Sequence, residues 1–304
     1  METRLNEMSI SQVQLCSLLI NEEEWIEKNY NQHKDWPGLA KWVFVHGADK
    51  VYGETNPERV TKDGLSIDKT GEILDSIAQR DPRVMVIHHG WMSHTDRAKC
   101  KVEGRNRYIE VAEEVKPSYL IIVDLDEFYT KQDQAKLTVL MDRFRSYQSF
   151  TFPRREIWRP PSCIAQPLFS QEVVGGFWAI PCCHWWRWSP GMHYDDCHNT
   201  PKNAQGRYLN DKMLPLHMGG ARIQEEVPQL IHMGFAARRE DRLAKNAYYS
   251  ARGERRDRLR RWYVDSRSCW EEWEPGDILP RDAQVIPYLG PVPECFREDT
   301  ECAR

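Results

Sequence analysis

The chain has 304 residues, 40% of them hydrophobic, which is enough to bury one large core or two small ones. A formal net charge of -4 creates no global demand for a nucleic-acid or anionic-membrane partner, and no apolar stretch is long enough to span a bilayer, so no transmembrane segment is expected. The nine cysteines lack the regular spacing of a disulfide framework, and Met1 to Ser11 lack the apolar core of a signal peptide, which points to a soluble protein of a reducing cytoplasm.

Val13 to Ile20 is an apolar run of strand length. Asn21 is placed to cap a helix with an acidic first turn, Glu22-Glu23-Glu24, that runs to His33 or Lys34. Trp42 to His46 predicts a second strand, followed by Gly47-Ala48-Asp49 and a loop carrying Gly53, Pro57 and Gly64. Thr70 to Ala78 has the helical spacing of Ile73, Leu74 and Ile77, and Arg83 to His88 predicts a third strand. Arg105 to Val115 predicts a helix closed by Pro117, after which Leu120-Ile121-Ile122-Val123 reads as a strand buried on both faces. Gln132 to Phe144 predicts a helix, Ser149 to Phe152 a short strand, and Val173 to Pro181 a strand pair or turn. The alternation is that of an α/β fold with a mostly parallel sheet flanked by helices. Ligands of such sheets bind outside the carboxyl ends of the strands, and those ends are polar here: Asn21, Asp49, His88-His89 and Asp124. No G-x-G-x-x-G follows the first strand and no P-loop motif occurs, which removes the main support for those two classes.

The buried run breaks into Asp124-Leu125-Asp126-Glu127-Phe128. In an extended chain residues two apart point the same way, so both carboxylates would face one crevice. With no basic neighbour in sequence they repel each other unless a divalent cation lies between them. The bland alternative is a strand that ends in a solvated acidic turn.

An ordered set of segments resembles the metal-dependent glycosyltransferases of the GT-A fold, in particular the family 2-like group. The first strand running into Asn21-Glu22-Glu23 is similar to that group's opening strand and helix start. Asp63-Gly64-Leu65-Ser66-Ile67-Asp68-Lys69-Thr70 resembles its loop before the next helix, and Arg105-Asn106 resembles its Arg-Asn pair. Asp124 to Phe128 resembles its Asp-x-Asp-Glu motif, and His232-Met233-Gly234-Phe235 with Arg242, Lys245, Tyr248 and Tyr249 resembles its later segment. Together these cover roughly residues 13 to 250.

The resemblance implies a Rossmann-like GT-A catalytic domain over residues 1-250, with residues 1-130 holding the nucleotide-sugar and residues 131-250 the acceptor. Residues 251-304 would be a helical, Pro-rich C-terminal extension, its end from Pro275 lying extended on the surface. It implies Mn²⁺ or Mg²⁺ held by Asp124 and Asp126 against the donor diphosphate, with His232 or His217 completing the shell. Asn21, Glu22, Asp49, Asp68, Arg105, Asn106, Asp124 and Leu125 become the donor-contact candidates, with a UDP-sugar first among donors. An inverting transfer needs a base within reach of the acceptor hydroxyl, for which Asp195, Asp196 and His198 are candidates. The acceptor stays open among a glycan, a protein and a modified nucleic-acid base.

Other readings compete. Cys182, Cys183, His184, His193, Cys197 and His198 could build a zinc site, although an adjacent cysteine pair lacks the usual ligand spacing. Arg238 to Arg261 reads first as a salt-bridged, solvated face and second as a polyanion patch. The twelve tryptophans could line a cleft or simply fill the core. A non-catalytic glycan- or nucleic-acid-binding module is the principal rival to an enzyme, and a metal-dependent phosphohydrolase is the third.

Overall fold

The computed structural model describes residues 11–152, 154–159, 163–167, 173–174, 177–178, 182–195, 200–209, 213–215, 228, 230–233, 238–251, 278–279, 283–287 and 292–296. In chain order the elements are β1 (Val13–Leu19), α1 (Glu23–His33), β2 (Leu39–His46), α2 (Lys50–Thr55), α3 (Thr70–Arg80), β3 (Val84–His88), α4 (Arg97–Val115), β4 (Tyr119–Ile122), β5 (Glu127–Phe128), α5 (Lys131–Arg143), β6 (Ser149–Phe152), β7 (Arg154–Arg159), β8 (Cys163–Pro167), β9 (Val173–Val174), β10 (Phe177–Trp178), β11 (Cys182–Arg187), β12 (Met213–Pro215), β13 (Leu230–His232), α6 (Arg239–Ala251), β14 (Ile278–Leu279) and β15 (Ala283–Pro287).

The main sheet runs β12-β6-β11-β4-β1-β2-β3. β4, β1, β2 and β3 are mutually parallel, and β11 enters antiparallel beside β4. This is the expected mostly parallel α/β sheet. Successive residues of each central strand serve opposite cores, as a sheet covered on both faces requires. Val13, Leu15, Trp42, Phe44 and Ile121 pack with Trp25, Ile26, Leu74 and Ile77 from α1 and α3. Cys16, Val43, Val45, Leu120 and Ile122 pack with Tyr108, Ile109 and Ala112 from α4. Among the described residues Trp25, Trp36, Trp42, Trp185 and Trp186 are core material, whereas Trp91 is exposed. Among the described residues no helix is long and apolar enough to cross a membrane.

Several local expectations need correction. Asn21 does not cap α1; it adopts a left-handed backbone with φ 53°, and Glu22 precedes the helix without a capping side-chain bond. The expected loop after Asp49 contains helix α2, capped by the Asp49 carboxylate accepting from Tyr52 N. Helix α4 begins at Arg97 rather than Arg105, because Asp96 accepts from Lys99 N and starts it there. Strand β4 ends at Ile122, so Asp124 and Asp126 lie in a turn, closed by Glu127 N donating to Asp124 O at 2.8 Å, and not on an extended strand. The proline-rich tail does more than lie on the surface. β15 pairs with β8, and Phe296, 1% exposed, packs against Trp25 and Phe128.

A second sheet runs β14-β15-β8-β7-β13-β5, and its edge reaches the acidic turn. β13 pairs antiparallel with β5 so that His232 stands opposite Glu127, while Met233 N donates to Asp126 O at 2.7 Å. From the other side α1 holds the same turn. Asn29 Nδ2 donates to Leu125 O at 3.0 Å and Glu127 O at 2.8 Å. Tyr129 N donates to His33 Nε2, which leaves Nδ1 carrying the proton that bonds Asn29 O and Oδ1. Asn29 and His33 are both fully buried.

Burial pushes His33 down to about 3, the Asn29 bond opposing, and burial followed by His88 pushes His46 down to about 4, both from an ordinary 6.5. The unfolded chain takes up these protons first, so stability is complete above about pH 6.5 and falls as the pH drops towards those values. Urea titrations between roughly pH 7 and pH 4.5 should show a loss of up to about 1.4 kcal/mol per pH unit per histidine, shallower in His33→Gln. The exposed Lys116 ends α4 in a left-handed conformation with φ 53°. Lys116→Gly should therefore raise the unfolding free energy by about 1 kcal/mol in the same assay.

Candidate active site

At the carboxyl ends of β1, β2 and β4 lies a cavity of about 170 Å³. The acidic turn brings Asp124, Leu125 and Asp126 to its wall, β1 leads into Glu22, and β2 leads into Gly47 and Asp49. Lys101 and Arg105, one turn apart on α4, line it as well, and α6 supplies Lys245 and Tyr248. A neighbouring cavity of about 140 Å³ shares Glu22, Tyr52, Asp126, Lys245 and Tyr248 with the first and adds Asn21.

The carboxylates in this wall do not share one protonation behaviour. Asp126 is buried, which alone would favour its neutral form. Lys245 Nζ lies 3.0 Å from Asp126 Oδ2, and His232 Nε2 lies 3.4 Å from the same oxygen. Against the cost of burial, first Lys245 and then His232 hold Asp126 well below the usual carboxylate range. Burial and then the charge of Asp126 push the half-buried Glu22 well above that range, with Lys245 pulling the other way. The two neighbouring acids are therefore pushed in opposite directions, Asp126 towards its ionised form and Glu22 towards its neutral one.

The other candidate residues occupy distinct places. Asp49 caps α2 and accepts from the Tyr248 hydroxyl, and the Tyr52 and Tyr248 rings meet edge-on at 5.5 Å. Asn21 Nδ2 donates to the Tyr52 hydroxyl at 3.0 Å. Asp68 lines neither cavity; its carboxylate accepts from Thr70 N at 3.0 Å and Glu23 N at 3.5 Å, where it orders two helix starts. The buried Arg105 places its guanidinium over the Tyr194 ring at 5.7 Å. Asn106 exchanges hydrogen bonds with the Tyr194 backbone, donating at 2.9 Å and accepting at 2.8 Å.

Asp195 is not brought to the acidic turn. Its carboxylate pairs with Lys202 at 3.0 Å and lines a separate surface depression with Asn106, Glu103 and Glu110 on another face of α4. Asp196, His198 and His217 lie outside the described residues, as do Cys197 and Arg252 to Arg261. Of the zinc candidates, Cys182, Cys183 and His184 are described only as backbone of β11, and His193 Nδ1 lies 3.1 Å from Gly191 O. At the described start of the basic stretch, Arg238 pairs with Glu23 at 3.0 Å and Asp241 at 3.1 Å.

The carboxylates of Asp124 and Asp126 and the imidazole of His232 are donor types that suit Mn²⁺. Among the described residues, however, no three His, Cys, Asp or Glu side chains converge to hold a metal ion, and the Lys245 ammonium lies against Asp126. The principal residues that sequence reasoning did not assign to the site are Lys245 on the cavity wall and Asn29 and His33 behind the turn. Spacing carried a signal for each: Lys245 and Tyr248 are three apart on one helical face, and Asn29 and His33 are four apart on the face that buries Trp25 and Ile26.

No protein-family model matches the chain, and no curated protein matches it. Among solved structures, mannosyltransferase PcManGT from Pyrobaculum calidifontis, in complex with GDP-Man and Mn²⁺, aligns with 50% of this chain at 13% identity and a TM-score of 0.33. The chain spans only 37% of that protein's length. TarS 1-349 of S. aureus aligns with 84% of this chain and 73% of its own length, at 11% identity and a TM-score of 0.41. CMP:2-keto-3-deoxy-manno-octonic acid synthetase complexed with CTP aligns with 53% of this chain and 61% of its own, at 11% identity and a TM-score of 0.31.

Proposed function

We propose that the chain is a glycosyltransferase that moves a sugar from a nucleotide-sugar, a UDP-sugar in the first instance, to an acceptor hydroxyl with inversion. One observation carries the reading: Asp124 and Asp126 share a cavity at the carboxyl edge of a parallel sheet with Lys245, Lys101 and Arg105. A diphosphate leaving group needs its growing charge stabilised, and cations held beside oriented carboxylates do that without proton transfer. The motif resemblance from Asn21 to Tyr248 supports the same reading.

In this proposal Asp124, Asp126 and His232 or His217 hold a Mn²⁺ or Mg²⁺ ion, which would act as a Lewis acid towards the diphosphate. Asp49, Tyr52 and Tyr248 line the end of the cavity that we assign to the nucleoside. Residues 1-130 bind the donor, residues 131-250 the acceptor, and residues 251-304 are an extension packed on them. Because Asp195 faces a different depression, we place the acceptor base on Asp196 or His198.

A thermal-shift screen of UDP-, GDP- and dTDP-sugars with and without Mn²⁺ tests the reading, since a ligand of the native state raises its stability. The expected result is a shift that needs both nucleotide-sugar and cation. Asp126→Ala should reduce metal-dependent donor binding and transfer by about 100-fold or more while the protein stays folded. Full activity of Asp126→Ala in chelator would refute the proposal. Metal-independent binding of polyanions that fades steeply with salt would instead identify a non-catalytic binding module.

A further inference from the structure

The second cavity, of about 140 Å³, adjoins the first and is lined by residues of α1 and α6. Glu22, Tyr52, Asp126, Lys245 and Tyr248 belong to both walls, so the two spaces meet around the Asp126–Lys245 pair. The rest of its wall combines a large ring with groups of both charges. Trp25, 3% exposed, joins Ile20, Tyr52 and Tyr248 in an apolar side. Arg59, Lys245 and the buried Arg242 bring N–H donors, as does the buried Asn21 amide. Glu24, Asp126 and Asp241 bring acceptors. Most of these charges are engaged within the chain: Arg59 bonds Asp241, Lys245 lies 3.0 Å from Asp126, and Glu24 accepts from Arg238 N at 3.1 Å. With Glu22 in the wall as well, carboxyl groups outnumber cationic ones.

We infer that this second cavity seats the sugar of the donor and selects a neutral, polyhydroxylated ring over an acidic one. The inference rests on the nucleotide-sugar reading of the first cavity. Asp126 and Lys245 stand on both walls, so a guest of the second cavity lies beside the phosphates of a guest of the first, where a nucleotide-sugar carries its sugar. The choice of guest follows from the chemistry of the wall. A hydroxyl both donates and accepts, so a ring with several hydroxyls can answer the N–H groups and the carboxylates together, while its C–H surface meets the aromatic side. A carboxylate only accepts. Brought into this space it would face Glu24, Asp126 and Asp241 as like charges, and it would compete with them for the same cations. An apolar guest would strip water from the charged groups and return no hydrogen bond.

Calorimetric titration of the full chain at pH 8, with Mn²⁺ present throughout, tests this with UDP, UDP-glucose, UDP-galactose, UDP-glucuronate, GDP and GDP-mannose. At least one neutral donor should bind about tenfold or more tighter than its bare diphosphate, and UDP-glucuronate should bind no tighter than UDP. Glu24 lines only the second cavity and lies at its partly exposed edge, so Glu24→Gln removes one carboxylate there and leaves the fold intact. In that variant the affinity for UDP-glucuronate relative to UDP should rise about fivefold. Three results overturn the inference: no neutral donor binds tighter than its diphosphate, UDP-glucuronate binds as tightly as the best neutral donor, or Glu24→Gln leaves its ratio to UDP unaltered. Each of these, obtained while UDP or GDP binds, leaves the nucleotide reading of the first cavity standing. Failure of every nucleotide and nucleotide-sugar to bind overturns that reading, and the placement of the sugar falls with it.

Discussion

Asn29 donates from one amide nitrogen to the carbonyl oxygens of Leu125 and Glu127, in a place closed to solvent. Those two carbonyls flank Asp126, so the bonds fix the backbone on both sides of the carboxylate that matters most to the cavity. The amide is itself oriented by His33, whose tautomer is set by Tyr129 N, and Gln32 and Gln134 both donate to Tyr129 O. A buried polar network of this kind is favourable only when its members are satisfied together. It explains why a turn of acidic residues, which would otherwise stay mobile in water, holds one shape at the end of β4. Ser17 adds a tether from β1, with its hydroxyl donating to Val123 O at 2.7 Å.

The same turn joins the two sheets. β5 is only Glu127–Phe128, yet its pairing with β13 delivers His232 to Asp126, and Phe128 anchors it among Trp25, His33 and Phe296. Residues far apart in sequence thus meet through a short strand pair stiffened by aromatic packing. Phe296 comes from the proline-rich tail, so the tail contributes to the core beneath the site rather than only to the surface.

What the sequence made legible follows from how each element is stabilised. β1, β2 and β4 were readable because strands buried on both faces leave continuous apolar runs, and the partly buried edge strand β3 by its run Val84 to Ile87. The front of α4 was not, since Arg97 to Gly104 carries no apolar stripe and its start depends on the Asp96 cap. Gly104 belongs there for contact reasons: a Cβ would lie 2.8 Å from Leu18 Cδ1. Helix α2 escaped because it is short and contains Gly53, which lies under the Trp91 ring. Asp124 and Asp126 were recognised as a pair, but for the wrong geometric reason, since a turn and not strand alternation brings them to one wall. The roles of Asn29 and His33 could not be read because their partners, the Leu125 and Glu127 carbonyls for Asn29 and Tyr129 N for His33, come from beyond β4. Lys245 could not be paired with Asp126 from sequence, as only the folding of α6 over the cavity brings them together.

The charge balance of the cavity limits what can enter it. Lys101, Arg105 and Lys245 stand against Asp49, Asp124 and Asp126, while burial and the charge of Asp126 push Glu22 towards its neutral form. A bare nucleoside diphosphate would add a large negative charge to a wall that is already balanced, and a bare divalent cation would add an equally unbalanced positive one. In a space partly closed to water neither imbalance is well screened. Under the nucleotide-sugar reading, a diphosphate accompanied by a divalent cation would bring little net charge. The charge balance of this wall therefore favours a ligand pair of little net charge over either ion alone.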